Sequence, residues 1–128
     1  MKKLLAIIPL SLAVVTAHAG NTQGYNEDET VTLTGKLTFR TAYDEEGEKV
    51  SYPALAVQNP IKVKYSLNNE YIDSGRYIQL MVDTMKKFKY LEKNKGKTIT
   101  VTCDLGIADS GEEFTPVNCV MFGKKSPY

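Results

Sequence analysis

Two cysteines constrain this chain more than any other pair of residues. Cys103 and Cys119 are its whole cysteine complement, and each lies in a run that alternates apolar and polar residues. Ile99, Val101, Cys103, Leu105 and Ile107 share one face of the first run, and Val117, Cys119 and Met121 share one face of the second. A period of two marks half-buried strands. Asp109-Ser110-Gly111 between them is a turn signal. If the cysteines face each other across an antiparallel hairpin, its centre falls on Gly111. Val101 then pairs with Met121, Leu105 with Val117 and Ile107 with Thr115. One register satisfies the turn, the apolar faces and a disulfide together.

Whether two thiols join depends on the compartment, and the first residues speak to that. Lys2 and Lys3, the apolar run Leu4–Val15 and the stretch Ala17-His18-Ala19 read as a secretory signal peptide over 1–19. The run is broken by Pro9 and Ser11 and falls short of the roughly 20 apolar residues a bilayer-spanning helix needs. No membrane anchor is therefore expected. The product should be a bacterial exported protein, periplasmic or secreted, in which Cys103 and Cys119 form a disulfide. A redox-active pair would sit close together, as in Cys-x-x-Cys, and this pair does not. The chain from Gly20 onward suits one domain, expected to be monomeric.

The single His, His18, leaves with the signal, and there is no Trp. That excludes Ser-His-Asp and Cys-His triads, a His-ligated zinc site and a His general base. No metal, no cofactor and no catalytic residue is expected. Removing Lys2 and Lys3 from the 16 Lys and Arg leaves one fewer than the 15 Asp and Glu. Such a near-neutral chain lacks a global positive field, so no nucleic-acid partner is expected.

Residues 20–29 are polar and read as a flexible leader. Val31, Leu33, Leu37 and Phe39 then alternate with polar residues, and Gly35 on their apolar face suggests a bulge or a tight bend. Val50–Val57 resumes as a strand whose Pro53 belongs at an edge or an irregularity. Ile61–Tyr65 and Tyr77–Val82 follow, as a third strand split in two. Over Asp83–Asn94 the period changes. Met85, Phe88 and Leu91 make the apolar face of a short helix, capped by Asp83 or Thr84 and stopped near Gly96, with the lysines as a solvated face. Lys97–Ile107 and Thr115–Phe122 are the last strands, and 124–128 is a tail. The domain spans 30–123. Strands flanking one helix between the third and the fourth predict a mainly β chain, a five-stranded OB-like barrel. A two-layer α+β sheet is the alternative.

The stretch Gly96-Lys97-Thr98-Ile99-Thr100-Val101-Thr102-Cys103-Asp104-Leu105, with Ala108, Gly111 and Thr115-Pro116-Val117, resembles an uncharacterised family of exported bacterial proteins, domain of unknown function 4431. Upstream, Val31–Leu37, Tyr52-Pro53-Ala54-Leu55 and Ile78-Gln79-Leu80 extend the resemblance over roughly Val31–Cys119. It implies export and a small OB-like barrel. The family's ending carries T-G-H-H where this chain has Ser110-Gly111-Glu112-Glu113, so nothing those histidines do carries over.

Acidic residues gather in two turns. Asp44, Glu45, Glu46 and Glu48 fall in the first hairpin loop, and Asp109, Glu112 and Glu113 in the last. In an OB topology these loops flank one binding face. They are the candidate binding residues, for a basic exported protein such as a wall hydrolase or toxin whose antagonist this chain would be. The other reading is a small-molecule or oligosaccharide module using Tyr43, Tyr52, Tyr65 and Tyr77.

Overall fold

The strand β2 (Thr30–Tyr43) is long enough to serve two neighbours in turn. Its first half pairs with β7 (Thr98–Ile107) and its second half with β3 (Lys49–Ala56), both antiparallel, with Lys36 in both ladders. This stagger lets a sheet close on itself. In the computed structural model, which describes residues 23–110 and 113–122, five strands form a closed barrel in the order β2-β3-β6-β8-β7. Here β6 is Tyr77–Val82 and β8 is Val117–Met121. β6 and β8 run parallel; the other barrel pairs are antiparallel. The helix α1 (Met85–Lys93) lies between the third and fourth barrel strands. The expected mainly β, OB-like architecture is what the chain adopts.

Leu37, Leu55, Ile78, Leu80, Val101, Leu105, Val117 and Met121 fill the barrel, each essentially sealed from solvent. Burial of side chains of this size stabilises by about 1.5–3 kcal/mol each before conformational entropy is charged against it. Gly35 marks the closest approach. A Cβ there would stand 2.6 Å from the Ala56 carbonyl oxygen and 2.9 Å from Leu55 Cγ. The β2–β7 ladder passes this point without an inserted residue and the β2–β3 ladder begins at the next one, so it is a tight bend and not a bulge. Gly35→Ala should lower stability by about 1–3 kcal/mol, since the obstacle is backbone. An unchanged denaturation midpoint would refute that. Pro53 sits one residue before the β3–β6 ladder begins at Ala54, where its missing N–H costs no bond to β6.

Several expectations need correction. The leader is not wholly free: within 20–29, β1 (Gln23–Asn26) pairs in parallel with β4 (Ile61–Lys64). β4 pairs in turn with β5 (Tyr71–Asp73), forming a second, three-stranded sheet. Strand pairing needs only backbone donors and acceptors, so a polar segment can join a sheet. The stretch Ile61–Tyr65 thus leaves the barrel, while Val63 and Ile61 still bury their side chains in the common core. The signal at 1–19 and the tail at 124–128 lie outside the described residues.

The last hairpin is shifted by two residues from the expected register. Leu105 pairs with Cys119 and Ile107 with Val117. The Ala108 N–H donates to the Pro116 carbonyl at 3.0 Å, which places the centre of the loop one residue beyond Gly111. An even shift leaves every side chain on its face. The disulfide therefore still forms, diagonally, between Cys103 and Cys119, with Cα atoms 5.4 Å apart.

The helix also turns differently. Thr84 is its N-cap, accepting from the Lys87 N–H at 3.2 Å. Leu91 is fully buried and Phe88 packs edge-on against Phe39 at 5.9 Å, but Met85 is exposed and Lys87 is buried. The Lys87 ammonium donates to Asp83 and to the Met121 carbonyl, each at 2.8 Å. A long apolar stem with two partners for its head lets this lysine occupy the inward position. It is not part of the solvated face.

Candidate functional site

Inward residues of β2, β3 and β6 alternate with outward ones, and the registers bring the outward set together. Arg40 is opposite Tyr52, Thr38 opposite Ala54 and Lys36 opposite Ala56. On the other side of β3, Ala54 faces Gln79 and Ala56 faces Tyr77. Two alanines make a shallow floor between larger walls. Arg40 reaches across it, its guanidinium carbon 3.7 Å from the centre of the Tyr77 ring. Arg76 approaches the same ring at 5.8 Å.

The loop after β7 closes the other side. Phe114 stacks on Tyr52, with ring centres 5.0 Å apart and planes 25° from parallel. The Phe114 N–H donates to Gln79 Oε1 at 2.7 Å, and the Gln79 N–H donates to the Thr115 hydroxyl at 3.0 Å. That hydroxyl donates onward to the Val117 carbonyl at 2.7 Å. A buried glutamine and threonine thus pin the loop to β6. Alongside, Asn118 is buried over Gly106, where a Cβ would meet its Oδ1 at 2.3 Å, and its Nδ2 has no hydrogen-bond partner among the described residues.

The result is a cleft of about 380 Å³ lined by Arg40, Tyr52, Asp73, Arg76, Tyr77 and Phe114, among others. Arg76 also borders a neighbouring cleft of about 440 Å³ that includes Lys36, Gln58 and Pro60. Neither Arg40 nor Arg76 forms an ion pair among the described residues.

The acidic loops are built differently. Asp44 Oδ1 accepts from the Glu46 and Glu48 N–H groups at 3.0 and 2.8 Å, so this carboxylate closes its own turn around Gly47 at φ +82°. Glu45, Glu46 and Glu48 are exposed. Burial acts to raise the Glu113 carboxyl, but the hydroxyl and N–H of Ser110, with neighbouring backbone N–H groups, outweigh it and hold the group below its ordinary value. Asp109 is exposed, and Glu112 lies outside the described residues. Strand directions set the two loops at opposite ends of the barrel, with β3 beginning after the first and β8, antiparallel to it through β6, after the last, although Phe114 reaches back to stack on Tyr52. The hydrogen bonds of Asp44 and Glu113 stay within their own loops. Among the described residues, no three His, Cys, Asp or Glu side chains converge where they would hold a metal ion.

Of the four tyrosines singled out in the sequence, Tyr52 and Tyr77 meet in the cleft. Tyr43 is exposed at the far end of β2 and Tyr65 packs beside the second sheet. Arg40, Arg76 and Phe114 were not anticipated. The signal for Arg40 was present: a hairpin turning at Asp44–Glu48 places it across from Tyr52.

Strand order, stagger and helix position define this as an OB-like barrel with an aromatic and guanidinium cleft on its second and third strands. No protein-family model matches the chain, and no curated protein does. Among solved structures it is similar to a Plasmodium falciparum SSB in complex with ssDNA, at 15% identity and a TM-score of 0.39, covering 73% of this chain and 85% of that one. The strand order, and not this likeness, carries the fold assignment. The exclusion of nucleic acid as a partner, argued from net charge alone, does not stand. The physical fault in the exclusion is that net charge averages over the whole chain, while a ligand meets one face. Here Lys36, Arg40 and Arg76 share a face of a nearly neutral molecule.

Proposed function

We propose that this protein is an exported, non-catalytic binding module that holds a small molecule or oligosaccharide in the cleft on the outward face of β3 and β6. The observation that supports this reading is preassembly. Tyr52 and Phe114 are already stacked, Arg40 already lies over Tyr77, and buried hydrogen bonds fix the loop that completes the wall. A site organised before binding spends less of its interaction energy on ordering. Position supports it too, since OB barrels take ligands on their second and third strands between the flanking loops. A disulfide and the lack of a membrane-crossing helix among the described residues are compatible with export.

The acidic loops are the second reading, with a basic exported protein as partner. The exposure of Glu45, Glu46 and Glu48 favours it. One experiment separates the two. Isotope-labelled protein is titrated with a panel of oligosaccharides and small metabolites and followed by backbone resonances. The cleft reading expects shifts centred on Tyr52, Tyr77 and Phe114. It expects Phe114→Ala to weaken binding by about tenfold or more, the scale of a lost aromatic contact, and Glu45→Gln with Glu46→Gln to leave it intact. Shifts confined to 44–48 and 109–113, abolished by the glutamine variant, would give the function to the loops.

A further inference from the structure

We propose that the cleft recognises an oxyanion, a carboxylate or phosphate group on the bound molecule, gripped by Arg40 and Arg76. This rests on the cleft being the binding site and adds the chemistry of what binds there. Two cations share one ring. Arg40 lies flat enough on Tyr77 to reach 3.7 Å from its centre, and Arg76 stands at 5.8 Å from the same point. A guanidinium stacked by its face keeps its N–H donors around its edge, directed away from the ring. That edge matches the two oxygens of a carboxylate or phosphate, which it binds through paired, charge-assisted hydrogen bonds.

The described residues pair no carboxylate with either arginine. The one carboxylate lining the cleft, Asp73, accepts the Gly75 N–H at 2.8 Å, which commits one of its oxygens to its own turn. Like charges brought to one place repel each other, and an anion between them converts that repulsion into attraction. Both arginines are exposed, so the entering group meets little steric resistance. Tyr77 holds one donor fork in place, which spares the ligand the entropy of ordering a long side chain. Lys36, in the adjoining cleft that shares Arg76, continues the positive face for a ligand with a second anionic group.

The test uses two probes, inorganic pyrophosphate and malonate, titrated separately into the full domain. Binding is read by calorimetry and by the Nε–Hε resonances of the arginines. At least one probe should bind and move the resonances of Arg40 and Arg76. The better probe identifies the source of the anion, phosphate or carboxylate. Arg40→Gln and Arg76→Gln should each weaken it by about tenfold or more, as expected for a lost charged hydrogen bond. Arg40→Lys should restore only part of the loss, because an ammonium keeps the charge and not the fork. Near-ultraviolet circular dichroism should show each variant folded. If neither probe moves these resonances, or if both bind the double glutamine variant as well as the parent, the proposal falls. A neutral saccharide seated on Tyr52 and Phe114, and held equally well by the double variant, would overturn the oxyanion and leave the cleft standing. Probes that bind the arginines while every panel ligand maps to the acidic loops would support the oxyanion and overturn the broader reading.

Discussion

Replacing Cys103 and Cys119 together by Ala should lower the unfolding free energy by about 3 kcal/mol or more. The bridge spans a sequence separation of 16, and closing a loop of that size restricts the unfolded chain by roughly this amount. Both sulfurs are also core atoms, since Cys103 and Cys119 are buried between Val101, Leu105 and Val117 on adjoining strands. Their removal adds a packing loss to the entropic one. Against a net stability of about 5–15 kcal/mol for a domain, the variant should be near its limit at physiological temperature. Urea denaturation measures the effect directly. The parent protein in reductant should show a similar loss once unfolding exposes the bond. A deficit below about 1 kcal/mol, the range of ordinary surface substitutions, would mean that the barrel does not depend on the bridge.

Leu91→Ala should be the costliest single substitution in the helix, at about 2–5 kcal/mol. Leu91 is completely buried and belongs to the common core, whereas the aromatic side chains of α1, Phe88 and Tyr90, are only partly buried. Met85→Ala, six residues earlier, should change stability by no more than about 0.5 kcal/mol, because that side chain is exposed. The contrast matters more than either value. Equal losses at the two positions would show that the helix sits on the barrel by its Met85 face, and the orientation described above would be wrong.

The spacing of apolar residues carried a large part of this architecture. Alternation located the barrel strands, the change of period located α1, and the cysteines named the strands that must be neighbours. The errors lie where local pattern yields to tertiary context. The β7–β8 register was read from a turn centred on Gly111, yet the Ala108–Pro116 hydrogen bond moves that centre by one residue. Period two cannot register a shift of two, because both alignments present the same faces. Lys87 was assigned to water by its charge, and what places it inside is the Met121 carbonyl, far away in sequence. Residues 23–26 join β4 through backbone bonds that no side-chain pattern announces. For the site, composition pointed to the acidic loops because carboxylates cluster visibly along the chain. Arg40, Tyr77 and Phe114 come from three separate segments and meet only across strands. The hairpin turn already implied that Arg40 faces Tyr52, but its contact with Tyr77 needed the β3–β6 ladder.

β8 is inserted between β6 and β7, parallel to one and antiparallel to the other. The ring therefore has no finished form until residues 117–121 have been synthesised and brought home. Up to that moment β6 and β7 present open edges, the surfaces on which partly made chains pair with one another. The completed molecule offers no such edge in its barrel. Contacts between distant segments, such as Val31 with Cys103, also place the domain among slow-folding topologies, with refolding on the order of milliseconds to seconds. The hazard for this protein thus lies in its assembly and is confined to a time window. Holding the chain extended until its last strand is available removes that hazard without any change to the native state.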